Sequence, residues 1–219
     1  MKPKQALLAR SQPAPRGKKS PNKTKPVVAP SGVGEVRIIG GQWKRTKLRV
    51  PDLAGLRPTP DRVRETLFNW LGQDLHGWRC VDAFAGTGAL GFEAASRGAA
   101  QVLMVEQHPA LVAQLLRTQT QLGASSVHIT RGDGIAAVEQ LPAASVDLFL
   151  LDPPFESTRF ETALQAAARA VALAGFIYLE APRAWAQEEL AALGLARLRY
   201  LKAGAVHAHL LQRQALAAA

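Results

Sequence analysis

82-DAFAGTGALG-91 leaves a strand through Ala85, turns at Gly86-Thr87-Gly88 and opens a helix at about Ala89. Glycine at 86 and 88 permits the turn and the close approach of a ligand. The helix N-terminus leaves unpaired N–H groups facing whatever sits there. Read from Gly86, the stretch supplies Gly-x-Gly-x-x-Gly, so a nicotinamide dinucleotide, another nucleotide ligand, or a tight turn with no ligand all remain open at this point.

Outward from this turn the chain alternates strands and helices. Apolar runs at 80–85, 101–106, 127–130, 146–152 and 175–180 predict strands, and helical patterns fall near 89–97, 109–122, 134–140, 159–173 and 185–193. Such a series predicts an α/β, Rossmann-like domain with a mostly parallel sheet buried on both faces. Strands near 195–202 and 206–213, joined by a short turn containing Gly204, predict an antiparallel pair at the sheet edge.

Three further sites fall at the carboxyl edge of that sheet. Glu106 ends the second strand, where a carboxylate can accept from two ribose hydroxyls. Asp133 follows the third strand, where it could accept from an adenine amino group. In 148-LFLLDPPF-155 four apolar residues lead to Asp152, and Pro153 and Pro154 have no N–H to donate, which leaves carbonyls free for the cleft. Phe155 offers a face on which a base can stack. An Asp, a free carbonyl and a ring in succession suit a planar substrate bearing an NH2 group, because two acceptors take its two hydrogens. A hydride-transfer enzyme has no use for that arrangement.

The N-terminal quarter is different. The chain has 219 residues and a formal charge of +10. Residues 1–34 hold eight Lys or Arg, six Pro and no acid, which leaves 19 basic against 17 acidic residues elsewhere. Residues 1–34 are therefore expected to be a disordered basic arm. Residues 35–55, with Gly40-Gly41 between two alternating runs, predict a small β-hairpin extension, and 56–219 the α/β domain. In 56-LRPTPDRVRETLFNWL-71 a Pro-rich turn precedes a helix capped by Thr59 or Asp61. Its inward stripe is Val63, Leu67, Trp70 and Leu71, with Arg62 and Arg64 off that stripe. Eight basic residues between 37 and 64 favour a polyanionic partner. Lys44, Arg45, Arg62 and Arg64 are the candidate RNA-binding residues, and Trp43 suits either a core position or an exposed stacking one.

Cys80 stands alone and no Cys/His cluster has zinc spacing, so a disulfide scaffold and a zinc site are both excluded. With no secretory signal or spanning run, a cytoplasmic location without membrane association is expected. The five histidines lie outside the three cleft motifs and are expected at surface or packing positions.

The stretches 37-RIIGGQWKRTKL-48, 56–71, 82-DAFAGTGALGFEAASRGA-99 and 151-LDPPF-155 together resemble the bacterial 16S ribosomal RNA guanine-N2 methyltransferases of the small-subunit guanine 966 type, over about 180 residues. That resemblance implies a class I S-adenosylmethionine-dependent fold with seven strands and a small N-terminal extension. It also implies 16S rRNA in the small ribosomal subunit, or its assembly intermediate, as partner, and a monomer with no metal. By the same resemblance Asp82, Phe84, Gly86 and Gly88 look like the methionine-side cradle, with Ala85 beside them. Glu106 looks like the ribose acid, Asp133 the adenine contact, and Asp152, Pro153 and Phe155 the target-base clamp. Thr87 stands where a serine is common. An adenine-N6 methyltransferase, to which Asp-Pro-Pro-Phe offers the same acceptors, and an inactive RNA-binding assembly factor are the competing readings.

Overall fold

The computed structural model describes residues 34–51, 53, 59–154 and 158–214, so the basic arm, Arg57 and Phe155 lie outside the described residues. Seven strands form one sheet in the order β5-β4-β3-β6-β7-β9-β8: β3 (Arg79–Asp82), β4 (Gln101–Glu106), β5 (Val127–Arg131), β6 (Val146–Leu151), β7 (Val171–Ala181), β8 (Leu195–Ala203) and β9 (Val206–Arg213). β3 to β7 pair in parallel, and β9 pairs antiparallel with both β7 and β8. A separate antiparallel pair, β1 (Gly34–Arg37) with β2 (Lys47–Val50), forms the hairpin.

Burial on both faces follows from strand alternation. Leu148, Leu150 and Tyr178 point to one side with α1 (Asp61–Leu71) and α2 (Ala89–Ser96), whereas Phe149, Leu151, Ile177 and Leu179 point to the other with α5 (Phe160–Ala170). The chain winds from β3 to β4 to β5 and then returns to place β6 on the other side of β3. Strand order thus reverses between β3 and β6, and a crevice opens beyond their carboxyl ends. Three more helices, α3 (Pro109–Leu122), α4 (Gly134–Glu139) and α6 (Gln187–Ala192), complete the described helices. Among the described residues no helix is long and apolar enough to cross a membrane.

Two local expectations are corrected. The alanine-rich run predicts a helix to 173 and a strand from 175, yet α5 stops at Ala170 and β7 begins at Val171. Val171 pairs with Val146, and the register then shifts before Leu148 meets Phe176, so sheet pairing overrides the helical composition of 172–174. Gly175 fits this irregularity because a Cβ there would sit 2.9 Å from the Asp147 carbonyl. The α1 cap is also different: the Ncap is Pro60 with no side-chain cap, because Asp61 turns to Arg64.

Candidate active site

The glycine turn forms as its composition dictates. Gly88, with φ +79, caps α2, and a Cβ there would meet Leu115 and Phe92 within 2.7 Å. Glu106 fixes the turn from the next strand: its Oε2 accepts the Gly86 N–H at 2.8 Å and its Oε1 accepts the His108 N–H at 2.7 Å. Each carboxylate oxygen keeps a further lone pair for a ligand hydroxyl. Asp133 caps α4 by accepting from the Ala136 N–H at 3.0 Å, and its other oxygen takes Arg159 at 2.7 Å. The Ala136 N–H first, and then Arg159, hold its carboxyl below the usual range. Phe84 is half-buried and Ala85 buried in the turn between β3 and α2.

Asp82 is buried at the end of β3, where Oδ2 accepts the Gly91 N–H at 2.9 Å. Oδ1 is buried and finds no hydrogen-bond partner among the described residues. Burial pushes this carboxyl up to about 7, and the Gly91 N–H opposes that rise. The folded chain therefore retains a proton that the unfolded chain releases near 3.8, and stability falls as pH rises from about 4 to about 7. At about 1.4 kcal/mol per pH unit the Asp82 share is on the order of 4 kcal/mol. Thermal melts between pH 5 and 8 are expected to show a shallower decline in Asp82→Asn than in the wild type; equal slopes would contradict the assignment.

Asp152 follows β6 directly, with Pro153 buried and Pro154 exposed behind it. Its surroundings contain what the sequence analysis overlooked. Glu180, 2% exposed, lies on the neighbouring strand β7, and the Tyr178 hydroxyl donates to its Oε1 at 2.8 Å. The Thr59 hydroxyl lies within reach of both Asp152 and Glu180 and can give its one proton to either. Burial, and after it the Glu180 and Asp82 charges, raise the Asp152 carboxyl well above its ordinary range. A charged residue closing the apolar run 175-GFIYLE-180 was the available signal, and it went unused because Glu is unremarkable at a strand end.

The candidate RNA residues separate into two groups. Lys44, Arg45 and Arg62 are exposed, and Trp43 is half-buried against the core. Lys44 borders a cleft of about 470 Å³ together with Glu65, Asn69 and Gln73 of α1 and the turn after it. Arg64 is corrected: its side chain is fully buried, bonded to Asp61 Oδ1 at 2.6 Å and to the Arg37 carbonyl at 2.8 Å, with Glu93 at 3.6 Å. The apolar stripe did not count a cation as an inward residue, but buried Glu93 supplies the counter-charge that makes it one. Glu93 also accepts the Ile39 and Gly40 N–H groups at 2.7 and 2.8 Å, and it pairs with Arg97 at 2.8 Å. Ser96 donates to the Gly40 carbonyl at 2.6 Å, so α2 holds the hairpin by side-chain bonds.

Residues 36–212 match the family model described as Conserved hypothetical protein 95. Ribosomal RNA small subunit methyltransferase D of Escherichia coli (strain K12) is 46% identical over 125 residues, which cover 57% of this chain and 63% of the relative. This chain thus spans less than two thirds of that relative's length. The Haemophilus influenzae protein of the same name is 41% identical over 145 residues, covering 64% of this chain and 74% of the relative. The solved structure of yhhF from Escherichia coli superposes with a TM-score of 0.69 at 34% identity, covering 83% of this chain and 99% of that one. The chain belongs to the Conserved hypothetical protein 95 family and, within it, with the ribosomal RNA small subunit methyltransferases D.

Proposed function

We propose that the chain transfers a methyl group from S-adenosylmethionine to the exocyclic N2 of a guanine in the 16S ribosomal RNA of the small subunit. The supporting observation is the convergence of Asp82, the glycine turn, Glu106 and Asp152 on the crevice where strand order reverses. The orphaned Asp82 Oδ1 and the free lone pairs of Glu106 fit a ligand rich in ammonium and hydroxyl donors. Asp82, Phe84, Ala85, Gly86 and Gly88 would hold its methionine side, Glu106 the ribose and Asp133 the adenine. When bound, the donor supplies a methyl group made electrophilic by its sulfonium.

The chain's own residues do the rest. Asp152 and the Pro153 carbonyl accept the two amine hydrogens and favour rehybridisation of a nitrogen whose lone pair is otherwise delocalised into the ring. Phe155 stacks on the base and aligns it. Even with its raised pKa, Asp152 is too weak a base to deprotonate a neutral amine beforehand, so the proton leaves once the nitrogen is cationic. Lys44, Arg45 and Arg62 hold the phosphates around the target.

The test is transfer of labelled methyl to small-subunit particles, with mapping of the modified nucleotide; labelling of adenine N6 instead would overturn the assignment. Glu106→Ala removes two charge-assisted hydrogen bonds and is expected to weaken donor binding by ~10- to 100-fold in calorimetry. Unchanged affinity in a folded protein would remove the ribose assignment.

A further inference from the structure

Three carboxylates share one end of the sheet. The parallel register pairs Leu150 with Tyr178 and Leu151 with Leu179, so Asp152, the residue directly after β6, comes abreast of Glu180 on β7. Adjacent strands lie about 4.8 Å apart. Among the described residues no Lys or Arg forms an ion pair with Asp82, Asp152 or Glu180. A buried carboxylate beside a half-buried one, with no cation, is costly, and an apolar residue at 180 would extend the packed face that carries Tyr178 without that penalty. Stability therefore gives no reason for Glu180. Burial raises the Glu180 carboxyl, and the Tyr178 and Thr59 hydroxyls oppose that rise by aiming donors at it, while Asp82, whose charge acts on Asp152, keeps its buried Oδ1 unpartnered. The pocket is an excess of acceptors awaiting donors from outside.

We infer that Glu180 is a specificity-determining residue of the target-base pocket: with Asp152 it presents two neighbouring acceptors that fit the adjacent N1–H and N2–H2 donors of guanine and oppose the N1 lone pair of adenine. This inference rests on the guanine-N2 reading above and extends it. Asp152 takes the amine that reacts, and Glu180 takes the ring N–H beside it, with the strand register holding the two carboxyls abreast. A flipped base is read by such hydrogen bonds to its pairing edge. An analogue that faces a buried acceptor with a lone pair is rejected far more strongly than one that merely fits less well.

The experiment uses 2-aminopurine, which keeps the N2 amine but carries a lone pair at N1. Small-subunit particles are reconstituted with guanine or 2-aminopurine at the nucleotide the wild-type enzyme methylates, and single-turnover methyl transfer is measured. The wild type is expected to favour guanine by ~100-fold or more. Glu180→Gln, whose amide can donate to an N1 lone pair, is expected to lower the guanine rate by at least ~30-fold and to narrow the preference below ~10-fold, with donor affinity by calorimetry unchanged. Equal wild-type rates on the two bases would overturn the inference without recourse to any variant. So would an E180Q protein that keeps both the wild-type guanine rate and the wild-type preference. Failure of the wild type to methylate the guanine particle would instead overturn the guanine reading itself, so the two failures are distinguishable.

Discussion

Asp152→Ala is expected to lower single-turnover methyl transfer by ~1,000-fold or more while donor affinity changes by less than ~3-fold. The substitution removes an acceptor that strengthens as charge develops on the nitrogen, and it leaves Glu106 and the glycine turn untouched. It also relieves Glu180 of a neighbouring carboxyl, so the fold should hold. Rapid-quench assays with labelled donor, paired with calorimetry, separate the two quantities. A wild-type transfer rate in D152A would mean that Asp152 takes no part in the chemistry.

Arg64→Ala is expected to destabilise the protein by about 3–5 kcal/mol, because it strips a fully buried partner from Glu93 and leaves the Arg37 carbonyl without its donor. Arg62→Ala, one position away on the exposed side of α1, should change stability by less than ~0.5 kcal/mol and weaken RNA association mainly at low salt. Urea unfolding distinguishes them. If Arg64→Ala unfolds at the wild-type urea concentration, the buried pair contributes nothing to stability.

The contrast between Arg62 and Arg64 marks how far a sequence can be read. Period-two and period-3.6 patterns report where apolar side chains go, so the βα series, the glycine turn and Asp152 at a strand end were all legible. They are silent about a cation buried against a carboxylate that lies 29 positions away, because Coulombic pairing has no period. Glu180 escaped for a related reason. Its meaning depends on standing abreast of Asp152, and that neighbourhood is set by strand order and register. The junction of α5 and β7 was misplaced because Ala172, Leu173 and Ala174 favour helix locally and the partner strand overrides them. The Asp-Pro-Pro motif needed no such partner, since its chemistry is contained in consecutive residues.

Eight residues of α2 make a rod about 12 Å long, with the Gly88 turn at one end and Glu93, Ser96 and Arg97 near the other. The hairpin is attached to that far end through buried charge, and a two-stranded ribbon has little stability by itself. It is consequently no interchangeable cassette. Grafted onto another Rossmann-like protein, residues 35–51 would need that host's equivalent of α2 to carry an inward glutamate, a serine three residues on, and an arginine after it. Cut away, they would leave Glu93 short of two N–H donors in the interior. Hairpin and glycine turn are thus inherited as one unit, and the two can diverge only in the exposed side chains that decorate it.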